Sequence, residues 1–230
     1  MNEDIKMTMT IANTKALDGA MRIFDMCERD DRNWGIQDTD PVIAGGAVRD
    51  MLLQRPIKDV DVFIPIYPAM LLPVALGLIR TIENNGYGYV SEKGLYPRSE
   101  YSHLGYAGRP ELLGHIPAKL DTGDGYSSVD FVFIDRRVAY KAEDIVRTFD
   151  SNLCQAWVTR SNGRWAPRTT PEFTAGVLMK ELRFYGHIPS RIGHVVRMVD
   201  KFPNYSLVIE DESLRAQYES WSQDQERDAV

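Results

Sequence analysis

Cysteine is scarce in this 230-residue chain: only Cys27 and Cys154 occur, far apart and without paired spacing. That excludes a disulfide framework and a cysteine-based zinc site, and it predicts two buried thiols with no chemical role. Long apolar runs are missing too. The longest, over residues 67–79, is interrupted by Pro68, Pro73 and Gly77 and is too short to span a bilayer, so no membrane association is expected. The amino terminus, MNEDIKMTMT, carries acids where a secretory signal has an apolar core. A reducing, cytoplasmic setting is therefore predicted. Positive charge is in deficit: 27 Lys and Arg against 33 Asp and Glu leave a formal charge of -6. A broad basic surface for nucleic acid is excluded, and any such contact has to be local.

What is present suffices for a core, with 43% hydrophobic residues in a length that suits one domain, alone or with a small appendage. Leu17, Met21, Phe24 and Met26 recur at helical spacing, which predicts an opening helix over residues 14–29. Residues 42–44 read as a short buried strand ending at Gly45 and Gly46, and residues 47–54 as a helix stopped by Pro56. The segment KDVDVFI, residues 58–64, alternates acid with apolar side chains, a period of two that marks a strand with one wet face. Pro65 is expected to end it. A helix over residues 69–84 and a strand over 87–90 follow.

Residues 91–115 show no clear period and read as a long insertion. Its Tyr96, Arg98, Tyr101, His103, Tyr106 and Arg109 could touch an acceptor strand, or simply belong to a variable surface loop. Two strands are predicted over residues 116–120 and 127–134, then a short helix near Glu143. Ser161-Asn162-Gly163 is a hairpin signal between strands over 153–159 and 164–168. Helices over 172–184 and 190–201 come next, then a polar tail from Glu210 that frays or forms a surface helix.

Asp59 and Asp61 stand at i and i+2 of one strand, so both carboxylates leave the same face while Val60 and Val62 point into the core. Two converging carboxylates are costly unless a cation neutralises them, and hard oxygen ligands suit Mg²⁺ or Mn²⁺. Asp130, in the apolar strand SSVDFVFI, is a third candidate ligand. Three acids can hold two ions that activate a hydroxyl and stabilise departing pyrophosphate, which is the chemistry of nucleotidyl transfer. An Asp-x-Asp strand alone also fits a solvated strand face. The Gly45-Gly46 turn adds weight, because backbone N–H groups at a strand-to-helix turn can approach phosphate oxygens without an intervening side chain. Arg49 and Asp50 would either brace that turn as a pair or, for Arg49, touch a phosphate.

The residues VIAGGAVRDMLLQRPIKDVDVFI resemble the signature of the poly(A) polymerase and CCA-adding tRNA nucleotidyltransferase family: Gly-Gly, then Arg-Asp, then Leu and Arg, then Asp-x-Asp. The match is specific over residues 45–61. It implies an α+β fold, the mixed-sheet head of polymerase-beta-like nucleotidyltransferases, with Asp59, Asp61 and Asp130 as metal ligands and Gly45, Gly46, Arg49 and Asp50 at the nucleotide. EDIVRTFDSNLCQAW is more loosely similar to the family's Arg-Asp-Phe-Thr-x-Asn-Ala stretch, which implies nucleotide contacts for Arg147 and Asn152. Thr148 stands there in place of the family's Asp. IPSRIGHVVRMVDKF is similar to a helix whose face approaches the triphosphate, which implies roles for Arg191 and Arg197, with His194 replacing an arginine. The bland alternative is an amphipathic helix with a solvated basic face.

The resemblance divides the chain into a head over residues 1–170 and a short helical neck-like segment with an acidic tail over 171–230. It implies an enzyme that moves a nucleoside monophosphate from an NTP, with two Mg²⁺ or Mn²⁺ ions, to an acceptor hydroxyl, an RNA 3′ end such as that of tRNA being favoured. Two alternatives stay open: a protein or small-molecule acceptor, as in toxins and modifying enzymes, and a degenerate module that binds nucleotide without turnover.

Overall fold

The computed structural model describes residues 18–22, 41–97, 111–121, 123, 125–139, 141–161, 164–186 and 191–228. Along the chain come β1 (Val42–Ala44), α1 (Gly46–Leu52), β2 (Asp59–Ile66), α2 (Leu71–Asn84), β3 (Gly88–Val90), β4 (Tyr96–Pro97), β5 (Leu112–Asp121) and β6 (Tyr126–Asp135). After them come α3 (Ala142–Val146), β7 (Ala156–Ser161), β8 (Arg164–Thr169), α4 (Pro171–Met179), β9 (Glu181–Phe184), α5 (Ile192–Lys201), β10 (Ser206–Ile209) and α6 (Glu212–Asp228). Among the described residues the strands form an eight-stranded sheet in the order β3-β5-β6-β2-β1-β7-β8, with β4 paired to β5, and a separate β9-β10 pair. β2 runs parallel to β6, and β1 antiparallel to β2. Mixed sheet and flanking helices make this the α+β architecture that the sequence predicts.

The two faces of the sheet follow from strand alternation. On one, Ile43, Val60, Val62, Ile116, Val129 and Phe131 pack against Val48 of α1 and against Val74, Leu78 and Ile82 of α2. Full burial of each such side chain stabilises the fold by about 1.5–3 kcal/mol. On the other, Val42, Phe63, Val132 and Ile134 meet Val146, Leu153, Leu182, Phe184, Val195, Met198 and Phe202. This second layer joins residues from both sides of position 170 into one cluster.

Several boundaries differ from the expectation. β2 continues through Pro65 to Ile66. Its partner β1 reaches only as far as Phe63, so Pro65 needs no donor on that side and still pairs with Ile134 of β6. Strand β5 begins at Leu112, inside the expected insertion, and β4 pairs with it; the insertion's remaining residues 98–110 lie outside the described part. Most of the opening helix also lies outside, as do Asn162 and Gly163 of the hairpin, whose flanking strands do pair.

The helix expected over 172–184 stops at Met179. Lys180 takes a left-handed conformation (φ 52°), and its N–H caps back to the Gly176 carbonyl. The chain then reverses into β9, whose Leu182 and Phe184 alternate into the core. No local sequence signal marks the parallel pairing of β9 with β10, since Ser206–Ile209 is short and its partner lies a helix away. Downstream, Asp211 caps α6 through a bond from Leu214 N–H, and Leu214 seats the helix on the second layer.

Gly176 is the close-packing point of α4. A methyl there would run into Asn152 Nδ2 and the Glu181 carbonyl. Replacing it with alanine is expected to destabilise the protein by about 1–3 kcal/mol, read as a lower urea midpoint with unchanged slope.

Candidate active site

Parallel pairing of β2 with β6 sets Asp61 directly opposite Asp130, and β1 sets Ala44 opposite Asp61 on the other side. Directly paired residues share a face of the sheet, so both acids lie on the face of the second apolar layer. Along β2 that face runs from Phe63 in the core to Asp61, half-buried, and then to Asp59, exposed. Along β6 it runs from Val132 to Asp130 to Ser128. The apolar layer ends and the acids begin at the same rung on both strands. Burial and the nearby Asp59 carboxylate push Asp130 up to about 6, with the Lys119 ammonium pulling the other way.

Gly45 closes this rung. It caps α1 at φ 81° and ψ -137°, a backbone conformation that side chains resist. Asp61 Oδ2 lies 3.9 Å, and Phe149 Cε2 3.5 Å, from where a Cβ would stand. The Gly45 N–H is held by the Ala156 carbonyl at 3.0 Å, and Phe149 leans on Phe63 with centroids 5.3 Å apart. Thus the Gly-Gly turn, the Asp-x-Asp strand and the Phe of the looser motif meet in space.

Arg49 resolves one of the open alternatives. It is 5% exposed, bonds Asp50 through Nε at 2.9 Å, and directs a nitrogen to Met198 Sδ at 3.1 Å, with the Phe202 ring 5.4 Å away. Asp50, 3% exposed, also accepts from Lys201 Nζ at 2.5 Å. Of the two roles expected for Arg49, the one seen is the brace, and it ties α1 to α5.

Asn152 is likewise spent on structure. Its Oδ1 accepts from the Leu153 and Arg183 N–H groups, and its Nδ2 donates to the Glu181 carbonyl. Arg147 is exposed and bonds Glu143 at 2.7 Å and Glu172 at 3.4 Å. Arg191 and Arg197 are exposed at the start and middle of α5. His194 does not share their exposure. It turns inward, with Nδ1 2.8 Å from Asp150 Oδ2 and its ring edge-on to Phe184. Burial works against its charge, but the Asp150 hydrogen bond and the adjacent Cys154 sulfur outweigh it and push His194 up to about 10.

Sequence reading missed Asp150 and Lys201 as partners. The available signal was weak: Asp150 follows the Arg-x-Phe stretch, and Lys201 ends a helix.

The carboxylates form a donor set of hard oxygens, which suits a divalent cation. Among the described residues, however, no group of three His, Cys, Asp or Glu side chains is gathered as a formed cage. Asp61 and Asp130 share the rung, and Asp59 stands one step outside it. The set fits a cation that takes its remaining ligands from elsewhere.

No protein-family model and no curated protein matches the chain. Solved structures do match. A tRNA-processing enzyme in an apo form aligns over 89% of this chain and 47% of its own at 16% identity, with a TM-score of 0.56. A CCA-adding enzyme in an apo form aligns over 93% and 44% at 12% identity, also with a TM-score of 0.56. The fold is that of the nucleotidyltransferase head of CCA-adding enzymes. A tRNA nucleotidyltransferase complexed with a primer tRNA and an incoming ATP analogue aligns over 87% and 50% at 15% identity, with a TM-score of 0.51. The chain thus spans about half the length of these proteins, or less. No described helix is long and apolar enough to cross a membrane.

Two outcomes follow for the buried polar contacts. Asp50→Ala strands Arg49 and Lys201 without their carboxylate and is expected to cost roughly 3 kcal/mol in chemical denaturation. His194 has a folded pKa near 10 against 6.5 as the ordinary value, so its contribution is complete below pH 6.5 and is lost as pH rises towards 10. The melting temperature of His194→Gln should converge with that of the parent protein over that window, from a deficit on the order of 4 °C at pH 6.

Proposed function

We propose that this chain is a metal-dependent nucleotidyltransferase that moves a nucleoside monophosphate from an NTP to an acceptor hydroxyl, the acceptor being an RNA 3′ end. The observation that carries it is the Asp61–Asp130 rung, closed by the glycine turn at Gly45, in a nucleotidyltransferase-head fold. Solved structures of similar fold were obtained with CTP, with ATP, and with primer tRNA plus an ATP analogue, which supports the substrate classes. Residues 1–170 act as the head, and 171–230 as a short neck-like segment.

In this reading Asp61 and Asp130, helped by Asp59, hold two Mg²⁺ or Mn²⁺ ions. When bound, such ions neutralise the developing pyrophosphate charge and make the acceptor hydroxyl a better nucleophile. The Asp130 carboxylate orients that hydroxyl. At Gly45 and Gly46 the missing side chains let the triphosphate approach the backbone, while Phe149 walls the turn. Arg49 and Asp50 position the turn from beneath rather than touching substrate. Arg191 and Arg197, exposed on α5, meet the triphosphate, and Arg147 joins them by exchanging Glu143 and Glu172 for phosphate oxygens.

A second reading keeps the chemistry and changes the acceptor to a protein or small molecule. The formal charge of -6 favours it, since an acidic chain has little surface to grip a folded RNA. Intact-mass measurement on candidate acceptors would show one added nucleotide in that case.

Incubation with each labelled NTP, Mg²⁺ and total RNA is expected to label RNA 3′ ends. Asp61→Asn and Asp130→Asn should each lower the rate at least about 100-fold, and EDTA should abolish it. Absence of transfer with every NTP, or transfer indifferent to both substitutions, refutes the proposal.

A further inference from the structure

The acids do not mark the end of the polar face they stand on. Pairing carries the Asp59 row outward to Ser128 of β6, Lys119 of β5 and Tyr89 of β3, all on one face of the sheet. One step further, Tyr126 of β6 pairs with Asp121 on that same face. Tyr89 is 50% exposed and Tyr126 60%. Their strands are separated by β5, yet the rings reach across it to centroids 5.3 Å apart at an edge-on angle of 65°. Between them the Lys119 ammonium bonds Ser128 Oγ and stays exposed. Helix α2 covers the opposite face of these strands, through Val74, Leu78 and Ile82. The tyrosines are thus exposed on the same face as the acids.

We propose that Tyr89, Lys119 and Tyr126 form a platform for the single-stranded 3′ end of the RNA acceptor. This rests on the transferase reading above and names its acceptor subsite. Exposed aromatic rings on a sheet offer bases a stacking surface that tolerates any sequence. Lys119 is complementary to one phosphate, a local contact of the only kind that a chain of formal charge -6 permits. The reach is right as well. Tyr126 precedes Asp130 by four residues of extended strand, about 13 Å, a length of about four stacked nucleotides at ~3.4 Å each. A strand lying on the platform with its 3′ end towards Asp130 therefore sets its terminal hydroxyl at the acids. Asp59 and Asp121, on the same face, repel a second phosphate row and so disfavour a duplex.

The test pairs binding with kinetics. Anisotropy of a 5′-fluorescein-labelled single-stranded RNA dodecamer is read in buffer without divalent ions, for the full chain and for a Tyr89→Ala/Tyr126→Ala variant, Lys119→Ala, and a Tyr89→Phe/Tyr126→Phe variant. The double alanine variant should bind at least about 10-fold more weakly, Lys119→Ala about 3-fold, and the phenylalanine variant within about 2-fold. KM for RNA should rise in parallel while KM for NTP and the melting temperature do not move. If the parent protein labels RNA and the double alanine variant keeps its RNA KM, the platform is refuted and the transferase reading stands. If no RNA is labelled, the RNA-acceptor reading falls, and binding alone decides the platform. RNA binding that is absent in the parent protein, or indifferent to the tyrosines, overturns it, as does nucleotide transfer to protein without RNA binding.

Discussion

Parallel pairing between β2 and β6 is the constraint on which the site depends. Eight consecutive rungs, from Asp59 opposite Ser128 to Ile66 opposite Asp135, lock the two strands in one register. Strand side chains alternate with a period of two, so a slip of one residue would exchange the faces. Were β6 to slip against β2, Asp130 would turn into the layer formed by α1 and α2, where an unpaired carboxylate is costly, and Phe131 would leave it. Burial of the apolar residues therefore holds the acids together, and the site inherits its geometry from the core.

A second set of contacts holds the Gly45 turn against this sheet. Arg49 and Asp50 lie just beneath it on α1, and they reach across the second layer to Met198 and Lys201 of α5. His194, one turn earlier on α5, fastens the same helix to Asp150. Both links are charged and largely buried, so removing one partner of either leaves a buried charge uncompensated. Residues beyond position 170 thereby share the interior of those before it, with Leu182, Phe184 and Val195 packed against Val42 and Phe63.

Local signals were legible where they arise from neighbouring residues. The Gly-Gly turn, the alternation of KDVDVFI, the pairing of β7 with β8 and the helix of α5 each follow from a few adjacent side chains. Misread stretches were those settled by distant partners. Pro65 stays in a strand because β1 has already ended, and 181–184 becomes β9 because a left-handed Lys180 turns it towards β10. Asn152 looked like a nucleotide contact in sequence, but its amide is spent on the Leu153, Glu181 and Arg183 backbone.

By itself, then, the sequence singled out the candidate residues: two aspartates on one strand face, a third in an apolar strand, and a turn without side chains. Periodicity of two and glycine's backbone freedom are enough for that, because both act within a few residues. Only the tertiary structure decided that Asp130 stands opposite Asp61 rather than one rung away, that Arg49 lies inside the protein, and that Tyr89 and Tyr126 meet over β5 on the face of the acids. Register between strands some 70 residues apart is set by which apolar faces can be buried together, and that is a property of the whole core.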